Sequence, residues 1–249
     1  MLKNSCYLIF VGLLLMACNS SNEDEDVSVF GNDLPVGASA EEFLLQQEEF
    51  PTIEIEVAYT ENFQPLPESL QNLRDFVEQH TEKEVIISPN KIMLEPQEIY
   101  TQNAIEAIEE QFRISENEPE KISTFILFLP GSYAQNTADS IQLGLAYRNT
   151  SIALFEKDIL SVANSKTNQE KAESRLAAHH FMHLLGLVNH GVPTVNNHED
   201  LEFSHHCLTQ NCLLQAATNF AGDSDFLLSN DLQLKSYCLA DLAAFKNAN

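Results

Sequence analysis

Leu176-Ala-Ala-His179-His180-Phe-Met-His183-Leu-Leu-Gly186-Leu187 is the stretch on which the reading of this 249-residue chain turns. Seven of the eight histidines lie between His179 and His206, a crowding that surface composition does not explain. His179 and His183 stand four residues apart in a run that reads as helix. That spacing puts both imidazoles on one face, roughly 5–6 Å apart at Cβ, close enough to share one ion. Zinc takes imidazole nitrogen at about 2.0–2.1 Å and is usually held in catalytic sites by three protein ligands. Gly186 follows one turn later, where a left-handed residue can end the helix and let the chain reverse. A third ligand then has to return from the loop beyond, in which His190, His198, His205 and His206 are the available imidazoles.

The frame His179-x-x-x-His183-x-x-Gly186 resembles the metzincin zinc peptidases, whose signature is His-Glu-x-x-His-x-x-Gly followed by a third His. His180 stands where that family has its glutamate, and Asn189 stands where strict spacing would put the third His. Further on, His206-Cys207-x4-Cys212-x-Leu214 resembles the archaemetzincin continuation His-Cys-x4-Cys-x-Met, with Leu214 in place of the Met-turn methionine. Gly186 to Asn189 and His198-Glu199-Asp200 are similar to membrane-metalloprotease lipoproteins of the Bacteroidetes kind, and Leu143 to Tyr147 and Ile152 to Glu156 extend the likeness weakly upstream. The resemblance implies an α+β zincin fold: a twisted mixed sheet, an active-site helix beneath it and a small helical C-terminal part. It implies one zinc held by His179, His183 and His206, with His198 as the alternative third ligand, and a peptide or protein as substrate or ligand. Leu143 to Tyr147 would be the edge strand that pairs with extended substrate.

The missing glutamate bears on the chemistry. In the family it takes a proton from the attacking water and passes it to the leaving amine, and loss of such a group costs about 10²–10⁴-fold in rate. A carboxylate becomes neutral when it accepts that proton. His180 would instead become a cation beside a dication, which the metal disfavours. Glu173, nearly two turns upstream of His179, is badly placed to substitute. The expectation is an inactive or severely impaired hydrolase that still binds zinc and peptides. Two other readings stand beside it: a peptide-binding module without hydrolysis, and a metal-binding lipoprotein whose imidazoles sequester zinc or copper.

The rest of the chain sets the context. Lys and Arg number 13 against 37 Asp and Glu, a formal charge of −24, which excludes nucleic acid as a partner because phosphate contacts need clustered cations. Lys3, the apolar run Tyr7 to Met16, and Leu15-Met16-Ala17-Cys18 read as a lipoprotein signal peptide over residues 1–17 with Cys18 as the lipidated residue. That predicts a bacterial outer-membrane lipoprotein, periplasmic or surface-exposed, held to the membrane through Cys18. Residues 18–50 are acidic and aperiodic and read as a flexible tether, so residues 51–249 form the metzincin-like domain.

Within that domain, alternation over Thr52 to Tyr59 predicts a half-buried strand and Leu70, Leu73, Phe76 and Val77 an amphipathic helix over 67–80. Glu84 to Leu94 reads as a strand that Pro89-Asn90 tends to break, and Pro96 as the start of a helix to about 113. Thr124 to Leu129 reads as a buried central strand, and Gln142–Tyr147 with Ser151–Phe155 as two strands around an Arg148-Asn149-Thr150 turn. The histidine helix is expected from about 168, and a C-terminal helix over 229–246 with Leu232, Leu239, Leu242 and Phe245 inward. Three cysteines remain past the tether, Cys207, Cys212 and Cys238; in an oxidising setting they predict one disulfide, Cys207–Cys212 or Cys212–Cys238, and one leftover thiol. The archaemetzincins use four cysteines here for a second zinc. Cys238-Leu-Ala-Asp241 lacks the last of them, so a second metal is not expected.

Overall fold

The computed structural model describes residues 29–222, 224–229 and 232–248. The expected signal peptide and Cys18 lie outside these residues.

A short helix α1 (Ala40–Leu44) precedes strand β1 (Thr52–Tyr59), helix α2 (Pro67–Thr81) and strand β2 (Glu84–Lys91). The chain continues through β3 (Ile99–Tyr100), α3 (Gln102–Phe112), β4 (Lys121–Leu129), β5 (Ser132–Tyr133), β6 (Gly144–Arg148) and β7 (Ser151–Phe155). Helices α4 (Glu156–Val162), α5 (Lys166–Leu184), α6 (Ser224–Leu227) and α7 (Ser236–Ala248) complete it. Five strands form one mixed sheet in the order β2-β1-β4-β7-β6; the first four are parallel, and β6 runs antiparallel to β7 on the outer edge. The mixed α+β architecture expected from the sequence is the one observed.

β4 shows why its neighbours lie where they do. Eight of its nine residues are buried, and its two faces serve two separate clusters. Ile126 and Phe128 pack with Ile53, Ile55, Leu73, Phe76, Leu176 and Phe181, which places α2 and α5 on one face. Phe125, Leu127 and Leu129 pack with Ile105, Ile108 and Tyr147, which places α3 on the other. Burial on both faces is the pattern of a central parallel strand. β2 continues through Pro89 because it is the opposite edge, where a missing N–H breaks no ladder.

Three expectations need correction. The tether does not extend to residue 50, because Phe43, Leu44 and Phe50 are buried in the main core. The chain from 31 to 39 is held by Asn149, whose Nδ2 donates to Gly31 O at 2.9 Å and to Ser39 Oγ at 2.8 Å, while Leu34 N–H donates to its Oδ1 at 3.1 Å. Pro96 does not open a helix. Thr101 caps α3, its hydroxyl accepting from Ala104 N–H at 3.2 Å, and Ile99 lies upstream, exposed, in β3. α7 begins at Ser236, so Leu232 precedes the helix, and Leu239 faces out, whereas Cys238, Asp241 and Leu242 are the buried face.

Glu173 is also accounted for. It is buried on α5, its Oε2 accepting from Leu66 N–H at 2.8 Å and from the Ser69 hydroxyl, and Gln169 Nε2 reaches its Oε1 at 2.7 Å. It ties α5 to the start of α2 and takes no part in the histidine cluster. Beside it Glu156 is fully buried; burial first, and the Glu173 carboxylate second, push its carboxyl up to about 10. A raised folded value means that its contribution to stability is present below the unfolded value, about 4.3, and is lost progressively as pH rises toward 10. Glu156→Gln, which keeps the shape without the charge, should therefore raise the melting temperature. The gain should increase between pH 5 and pH 8, toward an upper limit of about 4 kcal/mol at pH 7. Thermal unfolding at the two pH values checks this, and a gain independent of pH would count against it.

Candidate metal centre

α5 is capped at Ser165, whose hydroxyl accepts from Asn168 N–H at 3.2 Å, and from Ala172 to Leu184 every residue is buried. The helix thus runs under the sheet, against β6 and β7, and delivers His179, His180 and His183 to its far end. Gly186 then adopts φ +77°, as the sequence predicts, with its N–H donating to His183 O at 3.0 Å. Val188 and Asn189 are left-handed as well, at φ 58°. These residues turn the chain back on itself, and His190 and Val192 both donate to Gly186 O, at 3.1 and 2.8 Å.

The imidazoles meet as their spacing requires. His179 Nδ1–H donates to the backbone carbonyl of Leu213 at 2.8 Å, which leaves its Nε2 as a bare acceptor. That atom faces His183 Nε2 at 3.1 Å. Two nitrogens bound tetrahedrally to one zinc stand roughly 3.3 Å apart, given bonds of about 2.0–2.1 Å. The His206 ring lies beside both, its centroid 5.3 Å from that of His179 and 4.9 Å from that of His183. Its Nδ1 turns to the backbone carbonyls of Phe203 and Ser204, at 3.2 and 3.0 Å, and its Nε2 is buried with no hydrogen-bond partner. Proton sharing between His179 and His183 leaves that Nε2 orphaned, whereas a cation between the three rings would engage all three. The donor set fits a metal ion.

His180 occupies the next position round the helix. Asn219 Oδ1 accepts from Gly144 N–H and from His180 Nε2–H, both at 3.1 Å, so the tautomer leaves Nδ1 bare, buried and unpartnered. The ligand atoms of His179, His180 and His183 all lie within 4.8 Å of one another. Gly144 makes room for the ring: a Cβ there would stand 2.5 Å from His180 Nε2. Gly144→Ala should therefore push the ring off Asn219 at a cost of about 1–3 kcal/mol, as overpacking does. Denaturant unfolding checks the prediction, and a neutral change would show that the ring has space to move.

Burial lowers the basicity of every ring here. Desolvation is the largest cause for His179 and His183, with neighbouring imidazoles adding to it, and both fall well below the usual range. His180 falls to about 3, His190 to about 4, and His206 is lowered. All are neutral at pH 7, the form that binds a metal.

His180, His183, His190, His205 and His206 wall a cleft of about 160 Å³, room for about five waters. Leu145 and Ala146 of β6 form one side, Asn219 another, and Val36 from the docked N-terminal segment a third. His190 and His205, which read as exposed loop residues, both line it and stack at 4.0 Å. No carboxylate lines the cleft among the described residues. β6 is the edge strand expected from the sequence, although its approach is covered: Gln142 bridges to Phe220, and Leu143 N–H donates to Asn219 O at 2.9 Å.

Two expectations fail in the loop. His198, the alternative third ligand, is carried away from the cleft to Asp241 and Cys207. Cys207, Cys212 and Cys238 are all buried free cysteines, so the expected disulfide is not formed; the sulfurs of Cys212 and Cys238 stand 3.7 Å apart. Asn219 and Gly144 are the site residues that sequence reasoning missed. Of these only Gly144 carried a signal, since a glycine in a strand marks a close approach.

No protein-family model matches the chain, and no curated protein matches it. Among solved structures it is similar to a zinc-dependent peptidase from Methanocorpusculum labreanum, at 14% identity and a TM-score of 0.48 over 76% of this chain and 99% of that one. It is also similar to archaemetzincin from Methanopyrus kandleri, at 12% identity and a TM-score of 0.49 over 80% of this chain and 97% of that one.

Proposed function

We propose that this protein is a lipid-anchored, zinc-binding member of the metallopeptidase-like proteins that has lost most or all hydrolytic power and retains the capacity to hold an extended peptide. The observation that carries the reading is the pairing of two Nε2 atoms 3.1 Å apart with a third, orphaned Nε2 beside them, at a cleft that no carboxylate lines among the described residues. His179, His183 and His206 would hold the ion. Zinc in such a site supplies Lewis acidity that makes hydroxide available near neutral pH. The chain's own residues would have to move the proton, and His180 is poorly suited. Its one bare nitrogen is buried without a partner, and burial lowers the ring to about 3. Were His180 drawn in as a fourth ligand, the ion would be enclosed with no open position, which also ends hydrolysis.

The peptide would lie along β6, where Leu145 and Ala146 face the cleft, adding a strand to the open edge beyond Gly144. The tether after Cys18 would place the domain at a bacterial outer membrane, and the excess of 37 acids over 13 bases disfavours nucleic acid. Metal analysis of the purified chain tests the core of the reading. Zinc that is lost in His179→Ala and His183→Ala supports it; zinc retained at the same level in both variants refutes it.

A further inference from the structure

One wall of the cleft comes from the N-terminal segment. Val36, half-buried, belongs to residues 31–39, which are fixed at two points. The first is Asn149, fully buried in the turn that leaves β6. Its N–H donates to Leu34 O at 2.9 Å, its Oδ1 accepts from Leu34 N–H, and its Nδ2 donates to Gly31 O and to Ser39 Oγ. The second is Gly37, held at φ +77° against the turn after the histidine helix, where a Cβ would stand 1.6 Å from His190 O and 3.0 Å from Gly186 Cα. Val36 lies between Leu34 and Gly37. The segment therefore spans from the end of β6 to the Gly186 turn and closes that end of the cleft.

The edge of β6 open to a peptide is short. Gly144 N–H donates to Asn219 Oδ1, and Gly144 O accepts from Gln142 Nε2 at 2.7 Å, so its outward groups are already taken. In an antiparallel ladder every second residue turns its peptide groups outward, which makes Ala146 the next. The register breaks between Ala146 and Arg148, and the chain then reaches Asn149. A peptide paired at Ala146 thus brings a side chain against the end that Val36 closes. The whole cleft is about 160 Å³, close to the roughly 150 Å³ of a cavity that holds benzene. Space of that size, shared with peptide main chain, leaves no room for an aromatic ring. No Asp, Glu, Lys or Arg lines it among the described residues, so nothing there pairs with a charged side chain.

We propose that Val36 is a specificity-determining residue of the peptide site: it closes the subsite beside Ala146 so that a small uncharged side chain, that of glycine, alanine or serine, enters and an aromatic one is excluded. Asn149 is the positioning residue that seats it. This role for Val36 rests on the reading that β6 holds a peptide. The selecting side chain then belongs to the segment that precedes the sheet, so selection and metal binding can be changed separately.

The test is capture of peptides from a library of octapeptides randomised at every position, using the zinc-loaded full chain in detergent, with zinc content measured beside it. Wild type should enrich glycine, alanine or serine at one position. Val36→Gly should shift that position toward leucine and phenylalanine by about tenfold, the least that one methylene is worth in an apolar pocket. Val36→Phe should lose capture and keep its zinc. Asn149→Ala, which frees the segment, should relax the preference as Val36→Gly does, a change that a merely structural role would not produce. Should Asn149→Ala fail to fold, the two variants of the half-buried Val36 decide alone. Capture with the same preference in wild type and Val36→Gly overturns the proposal, and so does an aromatic preference in wild type or loss of zinc in Val36→Phe. A folded Asn149→Ala with wild-type preference overturns the role given to Asn149. If neither wild type nor Val36→Gly enriches any peptide, the peptide-holding reading itself falls and takes this proposal with it.

Discussion

His180→Glu is expected to cut unfolded protein well above the wild type, which on the proposed reading hydrolyses it at background rate. The wild-type cleft is walled by imidazoles, amides and apolar side chains, with no carboxylate lining it among the described residues. Glutamate at 180 would sit where the helix already delivers a side chain against Asn219 and Gly144, and it is smaller than the ring that fills the space now. On accepting a proton it becomes neutral, so nothing opposes the transfer beside a dication, whereas imidazole becomes a second cation. A positioned acid–base group is worth about 10²–10⁴ in rate, and a gain of that order is expected in cleavage of an unfolded protein, with metal content unchanged. A variant that keeps its zinc and still does not cut would show that the cleft is closed for a reason other than the missing base. His180→Gln, which supplies no base, is the control and should remain silent.

The second large effect concerns metal and acid together. With zinc bound to the native state alone, stability rises by about 4 kcal/mol at a free concentration a thousand times the dissociation constant. Chelation should therefore lower the melting temperature well beyond ordinary error. Once the metal is removed, the buried imidazoles dominate the pH dependence. Their folded values lie below the unfolded value of about 6.5, so the unfolded chain binds more protons as pH falls. Stability is full above about pH 6.5 and is lost as pH drops toward the folded values, which for His180 is about 3. Each such ring contributes about 1.4 kcal/mol per pH unit in that window. For His180 alone two units amount to about 3 kcal/mol, and His179 and His183 act in the same direction. The metal-free protein should unfold between about pH 6.5 and 4, with a steep dependence that His180→Gln makes shallower. A metal-free melting temperature that stays flat over this range would mean that water reaches the rings.

Much of this was legible in the residues. β1 was readable from the alternation of Ile53, Ile55 and Val57, β4 from its unbroken apolar run, and the α5 pair from the four-residue step between His179 and His183. Each of these is a local signal: a period of two or 3.6 states which residues share a face without knowledge of anything distant. Errors fell where local signals compete. Pro96 is a valid first helical residue, yet the Thr101 cap started the helix nearly two turns later, because Tyr100 found a buried place in the core that kept the chain extended. Residues 29–50 look like a tether by composition, and only their fit against Asn149, Phe181 and Gly186 shows them docked.

By itself, then, the sequence determined that this chain builds a mixed sheet over a helix presenting two imidazoles to one point, since both follow from side-chain period and backbone geometry. Only the tertiary structure decided which later histidine joins them. His198 and His206 are eight residues apart in one irregular loop, and nothing periodic distinguishes them. The fold sends His198 to Asp241 on α7, which accepts from its Nε2–H at 2.6 Å, and leaves His206 beside His179 and His183, its own Nδ1 turned to the nearby Phe203 and Ser204 carbonyls. Long-range partners of that kind leave no mark on local sequence pattern.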